Sequence, residues 1–168
     1  VNSGSTSSSY TGPFAAYSGT YYVYCETSSP NFPGAVFDLQ TYQISGGISS
    51  VSFSYLAYGS TIGTAYLQAS ADASSWTSLW SKSGDLGQTW YTASVSVGGS
   101  YTYLRFLYSG GSSYTGDFAL DYVSMFTSSA PAPTAPPTMP CYISSFESYT
   151  SNSDVSGDGL WRTGVSYK

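Results

Sequence analysis

Hydrophobic and polar residues alternate along most of this sequence with a period of two, the spacing of a strand with one buried face. In one run, Val51, Phe53 and Tyr55 are separated by single serines. Clusters of Gly, Ser, Asn and Pro divide such runs, and helical spacing is nearly absent. The predicted strands are 21–26, 36–39, 51–57, 64–69, 91–97, 101–108 and 118–125. Many short antiparallel strands predict an all-β protein, either a β-sandwich or a jelly roll.

Composition excludes several classes of function. The 168 residues include only four Lys and Arg and no His. Four cations are too few to line a nucleic-acid groove, and without His neither a serine-type triad nor a His-ligated metal site can form. Two cysteines far apart in sequence do not make a zinc site. No run of 18 apolar residues is present, and no motif singles out a glycosidase-like carboxylate pair, so we predict a non-enzymatic protein without a membrane span.

Hydroxyl groups replace charge in this chain, since 53 residues are Ser or Thr and only 8% are charged. Aromatic residues make up 18%, which is too many for a disordered chain. The predicted surface is therefore solvated by hydroxyls, a property typical of secreted and extracellular proteins. It suits either O-glycosylation or repeated contact between proteins. No basic segment with an apolar stretch opens the sequence, so any signal peptide is expected to have been removed.

A proline-rich segment divides the chain. Residues 128–140 contain five of the eight prolines and predict an extended connector, because proline fixes φ and lacks the N–H that a sheet needs. The predicted organisation is a main β-sandwich at 1–127, a linker at 128–140 and a short segment at 141–168. The linker is either a bare spacer or an O-glycosylated one. The candidate O-glycosylation sites are Thr134, Thr138, Ser128 and Ser129.

Four stretches of the sequence together resemble the MAM domain, an extracellular adhesion module. Residues 78–90 are similar to its Leu-Trp, Gly, Gly and Trp stretch, and residues 104–106 with 116–123 to its closing Gly-Asp-Ile-Ala-Leu-Asp-Asp-Ile strand. The other two are Gly12-Pro13 with residues 19–27, and Phe146-Glu147 with Asp154, Asp158 and Trp161-Arg162. The resemblance implies a MAM-like sandwich.

The order of these stretches is circularly shifted. In the family the Phe-Glu stretch and its Trp come first, whereas here they follow the linker. Joining Lys168 to Val1 restores the family order, which favours one period of a tandem array. A stand-alone circular permutation, or a chain that ends partway into a second domain, are the alternatives. In each case 141–168 supplies the first strands of a MAM-like sandwich, in its own unit or the next one, and is expected to lie there against residues 21–39.

An array of this kind implies assembly by strand exchange. A sandwich that lacks its first strands has open edges, and a segment from a neighbouring copy can fill them. Head-to-tail contacts that do not close give a filament. The predicted partners are therefore further copies of this chain, through Phe146, Glu147, Trp161 and Tyr167. A disulfide is expected between Cys25 and Cys141, across units in the array, with two free thiols as the alternative.

The resemblance also implies a cation site, because MAM domains commonly hold a cation near their acidic residues. The candidate ligands for Ca²⁺ are Glu147, Asp117 and Asp121, with the last two on one face of a strand. Residues 14–16 read Phe-Ala-Ala where the family often has Asp-His-Thr, so one expected acid is missing. In the alternative, Asp117 and Glu147 accept hydrogen bonds from backbone turns.

Carbohydrate binding is the second functional hypothesis, because Tyr and Trp rings stack on sugars. The resemblance places Trp80, Trp90 and Trp161 at core or turn positions, so packing is their expected role. Trp76, Tyr108 and Tyr114 are then the candidate sugar-stacking residues. The protein is in this case a secreted carbohydrate-binding or cell-adhesion module acting as a monomer or dimer.

Overall fold

The structure is a computed structural model that describes residues 1–128, 141–144 and 161–166, the last two ranges by their backbone. All regular elements of these residues are β-strands, which confirms the predicted all-β class. The strands are β1 (Asn2–Ser3), β2 (Tyr21–Cys25), β3 (Val36–Thr41), β4 (Ile48–Ala57), β5 (Thr64–Ser70), β6 (Thr77–Ser83), β7 (Tyr91–Ser96), β8 (Tyr103–Ser109), β9 (Phe118–Thr127), β10 (Cys141–Ser144) and β11 (Trp161–Ser166). No helix in this part of the chain is long and apolar enough to cross a membrane.

The strands form two antiparallel sheets. One has the order β1-β2-β9-β4-β7, with β10 also paired to β9. The other has the order β11-β3-β8-β5-β6. Because most neighbours in each sheet are not consecutive along the chain, most connections cross between the sheets, as in a sandwich of jelly-roll type.

The hydrophobic core lies between the two sheets and takes alternate residues of strands such as β4, β5 and β8. Phe53 on β4 is at its centre, 2% exposed, with its ring centroid 4.9 Å from Phe106 on β8 and 5.1 Å from Trp80 on β6. Both contacts are edge-to-face, the arrangement that ring quadrupoles favour. These rings join the sheets, and Trp80 has the packing role that its position predicted.

A second, smaller cluster covers the outer face of the six-stranded sheet. Tyr22, Leu56 and Ala119 are at most 1% exposed, although they lie on the face that points away from the main core. Ala16 and Trp90 pack against them, and the Trp90 indole N–H donates to the Ala15 carbonyl at 3.0 Å. The segment before β2 is therefore a lid on this face of the sheet.

The segment after the linker adds a strand to each sheet of its own chain. β11 pairs with β3 from Trp161–Thr41 to Ser166–Val36, and β10 pairs with β9 from Cys141–Phe126 to Ser144–Val123. We expected this segment to lie against residues 21–39. That holds for β11 in part, whereas β10 lies against β9 instead, in line with β2 along the same side of that strand.

Candidate functional site

Asp117 lies at the point where the chain enters β9 and is fully buried. Its Oδ1 accepts hydrogen bonds from the Thr27 backbone N–H at 3.0 Å and the Thr27 hydroxyl at 3.1 Å. Its own N–H donates to the Thr11 hydroxyl at 2.8 Å. Its Oδ2 has no hydrogen-bond partner. Asp117 thus connects three distant parts of the sequence through its carboxylate and its backbone N–H, and one carboxylate oxygen has no hydrogen-bond partner.

The surroundings of Asp117 disfavour its charge. Burial raises the pKa of Asp117 to about 6, against the Thr27 hydrogen bonds that lower it, and the nearby Glu26 adds to the rise. Partial burial also acts to raise the pKa of Glu26, yet that pKa is lowered overall because Ser28 and Ser7 donate hydrogen bonds to it. Two neighbouring carboxylates are thus tuned in opposite directions, a pattern frequent at functional sites.

Two of the three predicted cation ligands, Asp117 and Asp121, lie among the described residues. The free Oδ2 of Asp117 is a buried oxygen that a cation would satisfy. Asp121, the second predicted ligand, accepts the Ser18 N–H at 3.0 Å through Oδ2 and the Tyr122 N–H at 2.7 Å through Oδ1. Among these residues no three acidic, Cys or His side chains are grouped as metal ligands. Ca²⁺ takes six to eight oxygens, so the described part of the chain does not by itself fit this ion.

Asp121 also holds an exposed aromatic residue in place. The pairing of β4 with β9 shifts register between Ser54–Asp121 and Ser52–Ser124, which leaves one extra residue in β9. Tyr122 lies in this bulge with a φ of 51°, a conformation that tyrosine rarely adopts. The short hydrogen bond from its N–H to Asp121 supports that conformation. The bulge presents the Tyr122 side chain at the surface, 42% exposed.

Three aromatic rings form a patch on the lid side of the molecule. Tyr17 is 6.2 Å from Trp90 and 6.2 Å from Tyr122, centroid to centroid. We call Tyr17, Trp90 and Tyr122 the aromatic patch. Sequence reasoning missed it because Tyr122 follows an otherwise regular alternation and its exposure depends on the bulge.

The predicted sugar-stacking residues have other environments. Tyr108 is 2% exposed, its hydroxyl donates to the Gly116 carbonyl and accepts the Gly63 N–H, and it stacks on Phe118, so its prediction as a free ring is wrong. Trp76 is covered on one side by the Arg105 guanidinium, 4.2 Å from the ring centroid. Tyr114 is 45% exposed. The structure does not bring these three rings together into one surface.

The two cysteines lie far apart on the six-stranded sheet. Cys25 pairs with Phe118 at one end of β9, and Cys141 pairs with Phe126 near the other end. Eight residues of strand separate them, roughly 25 Å, whereas bonded cysteines need Cα atoms within about 7 Å. Cys25 is a free thiol here, and burial raises its pKa well above the usual range. The expected disulfide is therefore not formed within this chain, and a bond across units remains a prediction.

Most remaining predicted residues lie outside the described part of the chain, among them Phe146, Glu147, Tyr167, Thr134, Thr138 and Ser129. Ser128 is described and exposed, and its N–H donates to the Gly47 carbonyl at 3.0 Å. Trp161 is the first residue of β11 and pairs with Thr41. Of the predicted assembly residues, the structure thus gives Trp161 alone a position, at an edge of the five-stranded sheet.

The described residues thus form a two-sheet antiparallel β-sandwich with a lid over one face and two buried acids, Asp117 and Asp121, at its closing strand. The family profile described as MAM domain, meprin/A5/mu matches residues 2–131. The chain therefore belongs to the MAM domain family, as the sequence motifs predicted.

The chain is also similar to curated relatives. The chain is 34% identical over 132 residues to MAM domain-containing glycosylphosphatidylinositol anchor protein 2 of Mus musculus, covering 68% of this chain and 14% of that protein. It is 36% identical over 124 residues to anchor protein 1 of Rattus norvegicus, covering 68% and 13%. The chain thus spans about a seventh of the length of these relatives.

Proposed function

We propose that this chain is a non-enzymatic extracellular adhesive repeat whose segment 141–168 completes a MAM sandwich, either its own or that of a neighbouring copy. The membership of the MAM family supports an adhesion module outside the cell. The names of the mouse and rat relatives describe proteins with a glycosylphosphatidylinositol anchor, which supports a location at the cell surface. Copies that exchange this segment head-to-tail would form a filament or array.

The observation that carries the proposal is the pairing of β11 with β3. All six residues of β3, Val36–Thr41, have a partner in β11. Without β11, β3 would be an edge strand with a row of unpaired peptide groups, which is a template for another strand. Main-chain hydrogen bonds of this kind do not depend on which copy supplies the strand. The edge of β3 can therefore pair with β11 of its own chain or of a neighbouring copy.

The length of the connector favours exchange. β9 ends at Thr127, and β10 returns with Cys141 opposite Phe126, so a link of only a few residues would close this hairpin. The sequence provides residues 128–140 instead, and in a polyproline conformation residues 131–140 alone would span about 30 Å. Such a connector is long enough for the segment to reach an adjacent molecule.

Cysteine cross-linking distinguishes a closed unit from an exchanged one. Val36 and Ser166 are direct partners, and paired residues of an antiparallel sheet lie within the Cα distance of a disulfide. The double variant V36C/S166C, made in a Cys141→Ser background, therefore traps the pairing after oxidation. Exchange predicts a ladder of covalent dimers and higher species on a non-reducing gel.

The single variants V36C and S166C are the controls, because neither supplies both halves of the bond. Mixing the two single variants should give covalent dimers if strands are exchanged between chains. A double variant that oxidises entirely to a monomer, at all concentrations, would contradict the exchange and leave a permuted single unit.

Carbohydrate binding is a second candidate function, supported by the aromatic patch. Tyr17 and Tyr122 expose 46% and 42% of their surface beside Trp90, and aromatic rings of this kind offer a flat apolar face with a polar edge. If the patch binds sugars, Y122A abolishes signals on a glycan array, whereas Y42A, which removes a 47% exposed tyrosine elsewhere, leaves them unchanged. Equal signals from both variants, or none from the unmodified protein, would exclude it.

We also propose that the linker carries O-glycans at Thr134, Thr138, Ser128 and Ser129. The composition supports this, since an accessible Pro/Thr/Ser segment suits O-glycosyltransferases and few charges are present to keep an assembly dispersed. Mass spectrometry of the 127–140 peptide from native material should show added hexose or hexosamine masses. The unmodified peptide mass alone would contradict the proposal.

A further inference from the structure

Strand β7 is a free edge of the six-stranded sheet, at the opposite side from β1 and away from β10. Its residues Tyr91, Thr92, Ser94 and Ser96 are exposed, so in the described part of the chain nothing covers this edge. The strand is six residues long and pairs with β4 without a register shift. A long, regular open edge is the feature by which sheets of different molecules join.

The hydrogen bonds to β4 determine which peptide groups face outward. The Val97 N–H donates to the Ser49 carbonyl at 2.8 Å. Hydrogen-bonded and non-hydrogen-bonded positions alternate along an antiparallel pair. Residues 91, 93 and 95 therefore bond to β4, and Thr92, Ser94 and Ser96 direct their N–H and C=O groups to the open side.

β7 lacks the features that usually protect an edge strand. It contains no Pro or Gly, and no charged residue occurs from Leu86 to Leu104. The edge of the other sheet, β6, differs because it carries Lys82 and has a register shift at Leu67–Gln68 in its pairing with β5. Lysine and bulges both discourage edge-to-edge pairing. The edge strand β6 is thus protected against edge-to-edge pairing, whereas the edge strand β7 is not.

We propose that β7 pairs with β7 of a second copy, antiparallel across a two-fold axis at Ser94. In this register Ser94 lies opposite its own copy, and Thr92 lies opposite Ser96 of the other molecule. All three outward peptide positions then find partners, giving about six main-chain hydrogen bonds between the copies. The interface is isologous, as expected of a contact between identical molecules.

The side chains of β7 suit the same register on both faces. Ala93 and Val95 pack against the core on the inner face, and the two-fold axis sets Ala93 opposite Val95 of the partner copy. The pairing thereby extends the apolar layer across the interface. On the outer face Thr and Ser meet Ser, a cross-strand combination that forms hydrogen bonds without charge.

A single pair of edge strands makes a small interface, so the contact between isolated units is weak. A Kd between about 10 µM and 1 mM fits an interface of this size. Repeats linked in an array would strengthen it by multivalency. This lateral contact uses the edge of β7, whereas β11 pairs with the edge of β3. The lateral contact can therefore form whether or not segments are exchanged head-to-tail.

Charged substitutions at Ser94 test this register, because a residue on the two-fold axis lies opposite the same residue of the second copy. In S94K two lysines oppose each other, and in S94E two glutamates do, so each variant alone should lose the β7-mediated association that the unmodified protein shows in sedimentation. An equal mixture of S94K and S94E should dimerise. The matched control, S81K, places lysine on the exposed edge strand β6 and should sediment like the unmodified protein.

Amide hydrogen exchange measured by NMR identifies the edge directly. At concentrations of about 1 mM the amides of Thr92, Ser94 and Ser96 should gain protection relative to a dilute sample, from about twofold for a Kd of 1 mM to more than about tenfold for a Kd of 10 µM, and S94K should abolish that gain. The proposal is overturned if these amides exchange equally at both concentrations, or if S94K and S94E dimerise alone as well as together.

Discussion

At the scale of single residues, Asp117 is the most informative residue of the candidate site. It accepts two hydrogen bonds from Thr27 on one oxygen and leaves the other oxygen buried without a partner. The sequence identified Asp117 and Asp121 because both lie in a stretch that resembles the family's closing strand. It did not reveal Thr27 or Thr11, since a hydroxyl's role depends on which loops the fold brings beside the strand.

The raised pKa of Asp117 predicts a pH-dependent stability. An aspartate in the unfolded chain titrates near 4, whereas Asp117 titrates at about 6 in the fold. Between these values the folded protein holds a proton that the unfolded chain has released, so stability should fall as pH rises from 4 to 6 and then level off. The free energy of unfolding should fall by about 3 kcal/mol over this range, or by roughly 2 kcal/mol when the structure around the ionised Asp117 partly relaxes.

Denaturant unfolding in the presence of EDTA at pH 4.5 and pH 6.5 measures this fall. The D117N variant has no titrating group at this position, so its stability should change much less across the window. Glu26 has a lowered pKa and acts in the opposite direction, below about pH 4.5. An unmodified protein whose stability rises from pH 4.5 to 6.5 would contradict the assignment.

The predicted Ca²⁺ site gives the same residue a second readout. A cation at the free oxygen of Asp117, with Glu147 and Asp121 as the other predicted ligands, would favour the charged carboxylate. Calcium should then raise the melting temperature of the unmodified protein at pH 7, but not that of D117N or E147Q. Equal melting temperatures of the unmodified protein in Ca²⁺ and in EDTA would contradict the predicted cation site.

At the scale of elements, the two-residue alternation predicted most strands to within a few residues, including β4, β7 and β9. β6 was missed as a strand because Leu79 and Trp80 are adjacent apolar residues and break the alternation. The structure explains this, since the pairing passes from Leu67–Trp80 to Gln68–Ser78 and skips Leu79. Both Leu79 and Trp80 thereby pack against the core.

The bulge in β9 shows the same limit on sequence reasoning. The residues around Tyr122 alternate well enough to predict a strand, yet the extra residue and its positive φ arise from pairing with β4. A bulge depends on the partner strand as well as on its own sequence. Exposed aromatic residues at such positions therefore escape prediction, although they form the candidate binding surface.

At the scale of the whole molecule, family motifs and alternation together predicted a MAM-like sandwich. The two antiparallel sheets confirm the sandwich, and the family match confirms the MAM membership. The motifs also indicated that 141–168 supplies strands to a sandwich, and the structure pairs β10 and β11 with both sheets. The expected Cys25–Cys141 disulfide is not formed within the chain. An even number of cysteines favours a disulfide but does not indicate how far apart the fold places them.

The measurement that tests the account most directly is the thermal stability of a 1–128 fragment with and without a 141–168 peptide. Removing β10 and β11 opens an edge in each sheet, so the fragment should melt at least about 10 °C below the full chain, or lack a cooperative transition. Adding the peptide in trans should restore the transition. A fragment that melts like the full chain, indifferent to the peptide, would contradict the claim that this segment completes the sandwich.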